Sequence, residues 1–98
     1  MGDLELPAGE KRIALRTIRK TLDRILSGRK VPVLLGGDHL ITLPAIESMM
    51  EAYPDLRILH LDAHTDLRED YLGETLSHST VMRKIIDRIG EGRLFQLG

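Results

Sequence analysis

The stretch Ile58-Leu59-His60-Leu61-Asp62-Ala63-His64-Thr65-Asp66 decides how this chain is read. Its first four residues make a short, largely apolar run of the length of a buried strand. Side chains that can act as acids, bases or metal ligands begin where the run ends, at Asp62. In open parallel sheets, ligands bind in the crevice outside the carboxyl ends of the strands. A strand that runs straight into Asp, His and Asp fits that architecture.

The sequence on either side supplies alternating helices and strands. Upstream, 3.6-residue spacing predicts a helix over about 42–53, with Pro44 in its first turn and Ile46, Met49, Met50 and Tyr53 facing inward. Before it, Val31-Pro32-Val33-Leu34-Leu35 reads as a buried strand that ends at Gly36-Gly37. Residues 10–27 read as a helix with Leu15, Ile18, Leu22, Ile25 and Leu26 on one face. Arg12, Arg16, Arg19, Lys20 and Arg24 lie on the other side, read as a solvated outer face in preference to a nucleic-acid or membrane surface, and Gly28 sits where a C-cap glycine belongs. Downstream, residues 67–77 read as a loop and about 80–89 as a helix capped by Ser79 or Thr80. Val81, Met82, Ile85, Ile86 and Ile89 are its inner face. Arg93-Leu94-Phe95-Gln96-Leu97 then begins another strand. Strands separated by helices imply crossovers and a parallel sheet. The expected fold class is therefore α/β. Three strands are few for a parallel sheet, which normally has both faces covered, so the expectation is part of a larger α/β domain.

Composition narrows the function classes. At 98 residues the chain is at most one domain, with room for one small core and one site. Fourteen Lys and Arg against fifteen Asp and Glu give a formal charge of −1, which argues against a nucleic-acid partner. Tyr53, Tyr71 and Phe95 are the only aromatics, too few for a base-stacking platform. No apolar run is long enough to span a membrane, and the acidic Met1-Gly2-Asp3-Leu4-Glu5 does not read as a signal peptide. The absence of Cys removes disulfide, thiolate-metal and cysteine-nucleophile chemistry and fits a reducing, cytoplasmic setting.

Two motifs carry the chemistry. Gly36-Gly37-Asp38-His39 follows the first expected strand and Asp62-Ala63-His64-Thr65-Asp66 the second, so topology brings both to one crevice. Asp62, His64 and Asp66 alternate and can point the same way from a strand end. With His39 they offer two carboxylates and two imidazoles, a set that suits Mn²⁺, Zn²⁺ or Fe²⁺. Clustered carboxylates without a cation repel each other and resist ionisation. The glycine pair is expected to turn the backbone sharply so that His39 reaches the crevice. His60, inside the apolar run, reads as a hydrogen-bonded supporting histidine. Asp38 reads either as a partner of a ligand or as a helix N-cap, and His78 either as a loop residue or as a proton shuttle. No G-x-G-x-x-G, P-loop or G-x-S-x-G motif is present.

Taken together, the two motifs resemble the first two metal-binding signatures of the ureohydrolases, the family of arginases, agmatinases, guanidinobutyrases and formimidoylglutamases. The resemblance runs from Gly2-Asp3-Leu4-Glu5-Leu6-Pro7 to Phe95-Gln96-Leu97-Gly98. Leu67-Arg68-Glu69-Asp70-Tyr71, Gly73-Glu74 and Leu76-Ser77-His78-Ser79-Thr80 look most like the agmatinases. Arg68 stands where arginases typically place Asn. The resemblance implies a three-layer α/β/α fold with a parallel sheet and a centre of two Mn²⁺ ions. It implies that His39, Asp62 and Asp66 bind one ion, and that Asp62 bridges to a second held also by His64. His78 matches the histidine proposed to shuttle protons. The implied reaction is hydrolysis of the guanidinium group of agmatine to putrescine and urea, a step of polyamine biosynthesis, by a homo-oligomeric enzyme. The family also uses a later Asp-x-Asp motif, which this sequence lacks. The expectation is therefore that residues 1–98 are about a third of one ureohydrolase domain, inactive alone. Guanidinobutyrase or another ureohydrolase is the competing substrate reading. A non-catalytic α/β metal-binding or structural module is the reading from another class.

Overall fold

A computed structural model describes residues 4–5 and 9–98. The beginning of the stretch that resembles the ureohydrolases, at Gly2, Asp3, Leu6 and Pro7, lies outside the described residues, as does most of the segment read as no signal peptide. The elements are α1 (Lys11–Ser27), α2 (Thr42–Ala52), β1 (Ile58–Leu61), α3 (Val81–Ile89) and β2 (Leu94–Leu97), with a 3-10 turn at His39–Ile41 leading into α2. No helix among the described residues is long and apolar enough to cross a membrane.

β1 and β2 pair in parallel, with Ile58 opposite Leu94 and His60 opposite Gln96. Alternation then sorts the side chains. Ile58, His60, Leu94 and Gln96 face the helices, whereas Leu59, Leu61, Phe95 and Leu97 are exposed on the other face. The core is built from Leu40, Leu43, Val81, Met82, Ile85 and Ile89, with Leu15, Ile46, Met50, Ile58, Leu67, Leu76 and Leu94 packed against it. The helices thus cover one face of a small parallel sheet, consistent with an incomplete α/β fold.

Several expectations are corrected. Residues 31–35 are not a strand: no ladder pairs them among the described residues, and Val31, Val33 and Leu35 are exposed. An apolar run needs a hydrogen-bonding neighbour to become a strand, and composition cannot supply one. Tyr53, the residue that ends α2, is exposed rather than inward. Arg19 is not part of a solvated face. It lies between α1 and α2, with Glu51 at 2.7 Å, Asp23 at 3.2 Å and Glu47 at 3.3 Å. Glu51 above all, and Asp23 with it, raise the guanidinium pKa against the opposing effect of burial.

Gly28 is the C-cap of α1, as expected, but it is not the left-handed residue of the turn. Gly28 keeps φ −79°, and the left-handed residue is Arg29, at φ 58°. The Lys30 amide donates to the Ile25 carbonyl at 3.2 Å and the Arg29 amide to Leu26 at 2.9 Å. This is a Schellman ending whose left-handed position is held by arginine rather than glycine.

Candidate metal centre

Asp62 begins where β1 ends. Its amide still donates to the Leu97 carbonyl at 3.0 Å, so the ladder with β2 fixes its backbone. Its carboxylate turns back on the chain, and Oδ1 accepts the His64 amide at 2.9 Å. That bond, chiefly, holds the Asp62 carboxyl below the usual carboxylate range; the hydrogen bond from His60 acts in the same direction, and burial opposes them.

His39 arrives from the other motif. The Asp38 carboxylate accepts the Leu40 amide at 2.8 Å, so Asp38 is the cap of the 3-10 turn rather than a partner of a ligand. The glycines act differently from expectation. Neither Gly36 nor Gly37 has a positive φ. A Cβ on Gly36 would run into the Ile41 side chain, so that position is small for close packing; Gly37 has open space.

Asp66 completes the cluster, with its side chain only 11% exposed. Its backbone is left-handed at φ 53°, a region that Asp tolerates better than most residues. Its carbonyl accepts the amides of Met82 at 3.0 Å and Arg83 at 3.1 Å, two of the orphan donors at the start of α3. The expected Ser79 or Thr80 side-chain cap is absent. Thr80 stands at the N-cap position, but its buried hydroxyl meets the carbonyls of Thr75 and Ser77 and accepts the Ser77 amide.

One ligand atom from each of His39, His60, Asp62 and Asp66 falls within 4.8 Å of the others. His39 Nδ1 lies 2.5 Å from Asp66 Oδ2 and 4.0 Å from Asp62 Oδ2. The His60 ring stacks on that of His39, with centroids 5.1 Å apart. Two carboxylates among imidazoles, partly shielded from water, form a donor set that fits a Mn²⁺-, Zn²⁺- or Fe²⁺-type ion. Of the residues singled out from sequence, His39, Asp62 and Asp66 converge. His64 does not join the group: its side chain is 82% exposed, with Nδ1 3.4 Å from Asp62 Oδ1. His78 is exposed and packs edge-on against Tyr71, 5.2 Å between centroids. Tyr71 also lies under the Arg68 guanidinium at 5.5 Å.

Gln96 is the residue that sequence reading missed. Its Nε2 lies 2.9 Å from His60 Nδ1 and 2.7 Å from the Thr65 carbonyl. A polar residue at an inward position of an apolar strand, between Phe95 and Leu97, was the available signal.

Comparison with known proteins places the chain. The sequence profile of the arginase family matches residues 1–98. The chain belongs to the arginase family. Among family relatives, the agmatinase of Bacillus cereus is 46% identical over 97 residues, covering 99% of this chain and 33% of the relative. The guanidinobutyrase of Pseudomonas aeruginosa is 33% identical over 100 residues, covering all of this chain and 31% of the relative. A solved structure of a candidate agmatinase from Clostridium difficile superposes with a TM-score of 0.94 at 43% identity, covering 97% of this chain and 34% of that one. The chain thus spans about a third of the length of the curated relatives it matches, and the arginase fold is the one its elements build.

Proposed function

We propose that these residues form the first metal-binding segment of a manganese-dependent agmatinase, within a single ureohydrolase domain. The observation that carries the reading is the convergence of His39, Asp62 and Asp66 from two separate motifs onto one point. The 46% identity to an agmatinase supports agmatine over 4-guanidinobutyrate as substrate. Water and agmatine give putrescine and urea.

His39, Asp62 and Asp66 would hold one ion, and Asp62 with His64 a second. Bound manganese supplies a water of lowered pKa, a nucleophile available near neutral pH. The chain's own part is to fix the carboxylates. Asp62 is held by the His64 amide on one oxygen and by His60 on the other. Asp66 is anchored through its backbone to α3. His78, exposed beside Tyr71, would protonate the departing amine. Assayed alone, residues 1–98 are expected to bind Mn²⁺ weakly and to release no urea.

The experiment replaces the matching third of the Bacillus cereus agmatinase with residues 1–98 and measures urea release with Mn²⁺ present. The chimaera is expected to hydrolyse agmatine in preference to 4-guanidinobutyrate and to lose activity with Asp62→Asn. A folded, Mn²⁺-loaded chimaera without agmatine turnover overturns the reading.

A further inference from the structure

We propose that Gln96 and His60 are a positioning pair: they fix the Asp62 carboxylate and so set the metal affinity of the site. This rests on the reading of Asp62 as a ligand and adds to it a residue from a different strand.

The argument is one of donors and acceptors. The Thr65 carbonyl can only accept, and it lies 2.7 Å from the Gln96 side chain. The atom facing it must therefore be the amide nitrogen, which settles the orientation of the Gln96 amide. That nitrogen has a second hydrogen, and it lies 2.9 Å from His60 Nδ1. An amide nitrogen only donates, so Nδ1 must accept and the His60 proton resides on Nε2. The Nε2–H then donates to Asp62 Oδ2 at 3.2 Å. The direction Thr65 carbonyl, Gln96, His60, Asp62 is thus set from one end.

Three consequences follow. His60 belongs to the cluster by distance, yet its nearest nitrogen carries a proton and has no lone pair for a cation. It is a positioning residue rather than a ligand. Both Asp62 oxygens are held, Oδ2 by His60 and Oδ1 by the His64 amide, and each keeps a lone pair for a metal. His60 is also 8% exposed and stacked on His39, so one rigid ring braces two of the proposed ligands. Ligand carboxylates in metal sites are commonly oriented by such outer partners.

The test uses the 98-residue chain. Nitrogen-15 NMR of the metal-free protein reads the His60 tautomer, and calorimetry reads the Mn²⁺ dissociation constant. The Nε2–H tautomer is expected. Gln96→Leu should leave the fold intact by circular dichroism, release the fixed tautomer and weaken Mn²⁺ binding by about tenfold or more. Gln96→Glu replaces the donor with an acceptor and should move the proton to Nδ1 or protonate both nitrogens. A wild-type Nδ1–H tautomer overturns the pairing, as does a Glu variant with an unchanged imidazole spectrum. A folded Leu variant with wild-type Mn²⁺ affinity overturns the positioning role. Absence of Mn²⁺ binding by the wild type would defeat the metal reading and, with it, the affinity half of this proposal; the tautomer still decides the pairing.

Discussion

The carbonyl of Asp66 accepts the Met82 amide at 3.0 Å, while the Asp66 carboxylate lies against His39. One residue thus starts helix α3 and belongs to the His/Asp cluster, and it does so at φ 53°. Substitutions should separate the two tasks. Asp66→Asn tolerates the left-handed backbone and should cost clearly less urea stability than a β-branched substitution. It should still weaken Mn²⁺ binding. Asp66→Val places a β-branched residue in that region and should lose about 1–2 kcal/mol or more. Equal urea midpoints for Asn and Val would refute the backbone argument.

The end of α1 carries an avoidable cost. Arg29 occupies the left-handed position that glycine fills without penalty, and Gly28, one residue earlier, has helical φ. Arg29→Gly should raise stability by about 0.5–1 kcal/mol. Gly28→Ala, measured separately, should add a similar amount, since a Cβ there meets only ordinary contacts at 3.5 Å and 3.7 Å. Loss of stability in either variant would mean that the turn is not the one described.

Thr80 is fully buried, and its hydroxyl organises the turn before α3. Thr80→Val keeps the shape but leaves the Ser77 amide without its acceptor, at a cost of about 1–3 kcal/mol. Thr80→Ser keeps the hydroxyl and should recover most of that difference. Chemical denaturation of the pair checks this: a Val variant as stable as the Ser variant contradicts it.

Stability should also fall in acid through Asp23. The Ser48 hydroxyl donates to its carboxylate at 2.6 Å and Arg19 lies at 3.2 Å; these hold the folded pKa below the usual value, Ser48 foremost. A depressed carboxylate pKa gives stability that is fully present above the unfolded value, about 4. It is lost as pH falls through the folded value. The urea midpoint should therefore drop below about pH 4, and Asp23→Asn should flatten that acid limb. An identical acid limb in the variant would exclude Asp23 as a source.

Much of this was legible in advance, for definable reasons. The helices were, because Leu22 or Ile85 recurs on one face with the helical period. The two motifs were, because Asp and His directly after an apolar run have few structural explanations. What escaped depends on distant partners. Residues 31–35 have strand composition but no ladder. Arg19 looked solvated because Glu47 and Glu51 belong to another helix. The tie from Gln96 to His60 joins residues 36 apart, and only the β1–β2 register brings them opposite.

The uncovered side of the sheet bears on how the protein behaves in a tube. Leu59, Leu61, Phe95 and Leu97 lie open to water, and Val31, Val33 and Leu35 are also exposed. With a formal charge of −1 and an isoelectric point near 6.4, little colloidal repulsion keeps two molecules apart at neutral pH. Turbidity should therefore be greatest close to pH 6.4 and clear as the buffer is made more alkaline. Sulfate, which strengthens apolar association, should worsen it. Dilute, alkaline, sulfate-free buffer is the condition that this surface demands.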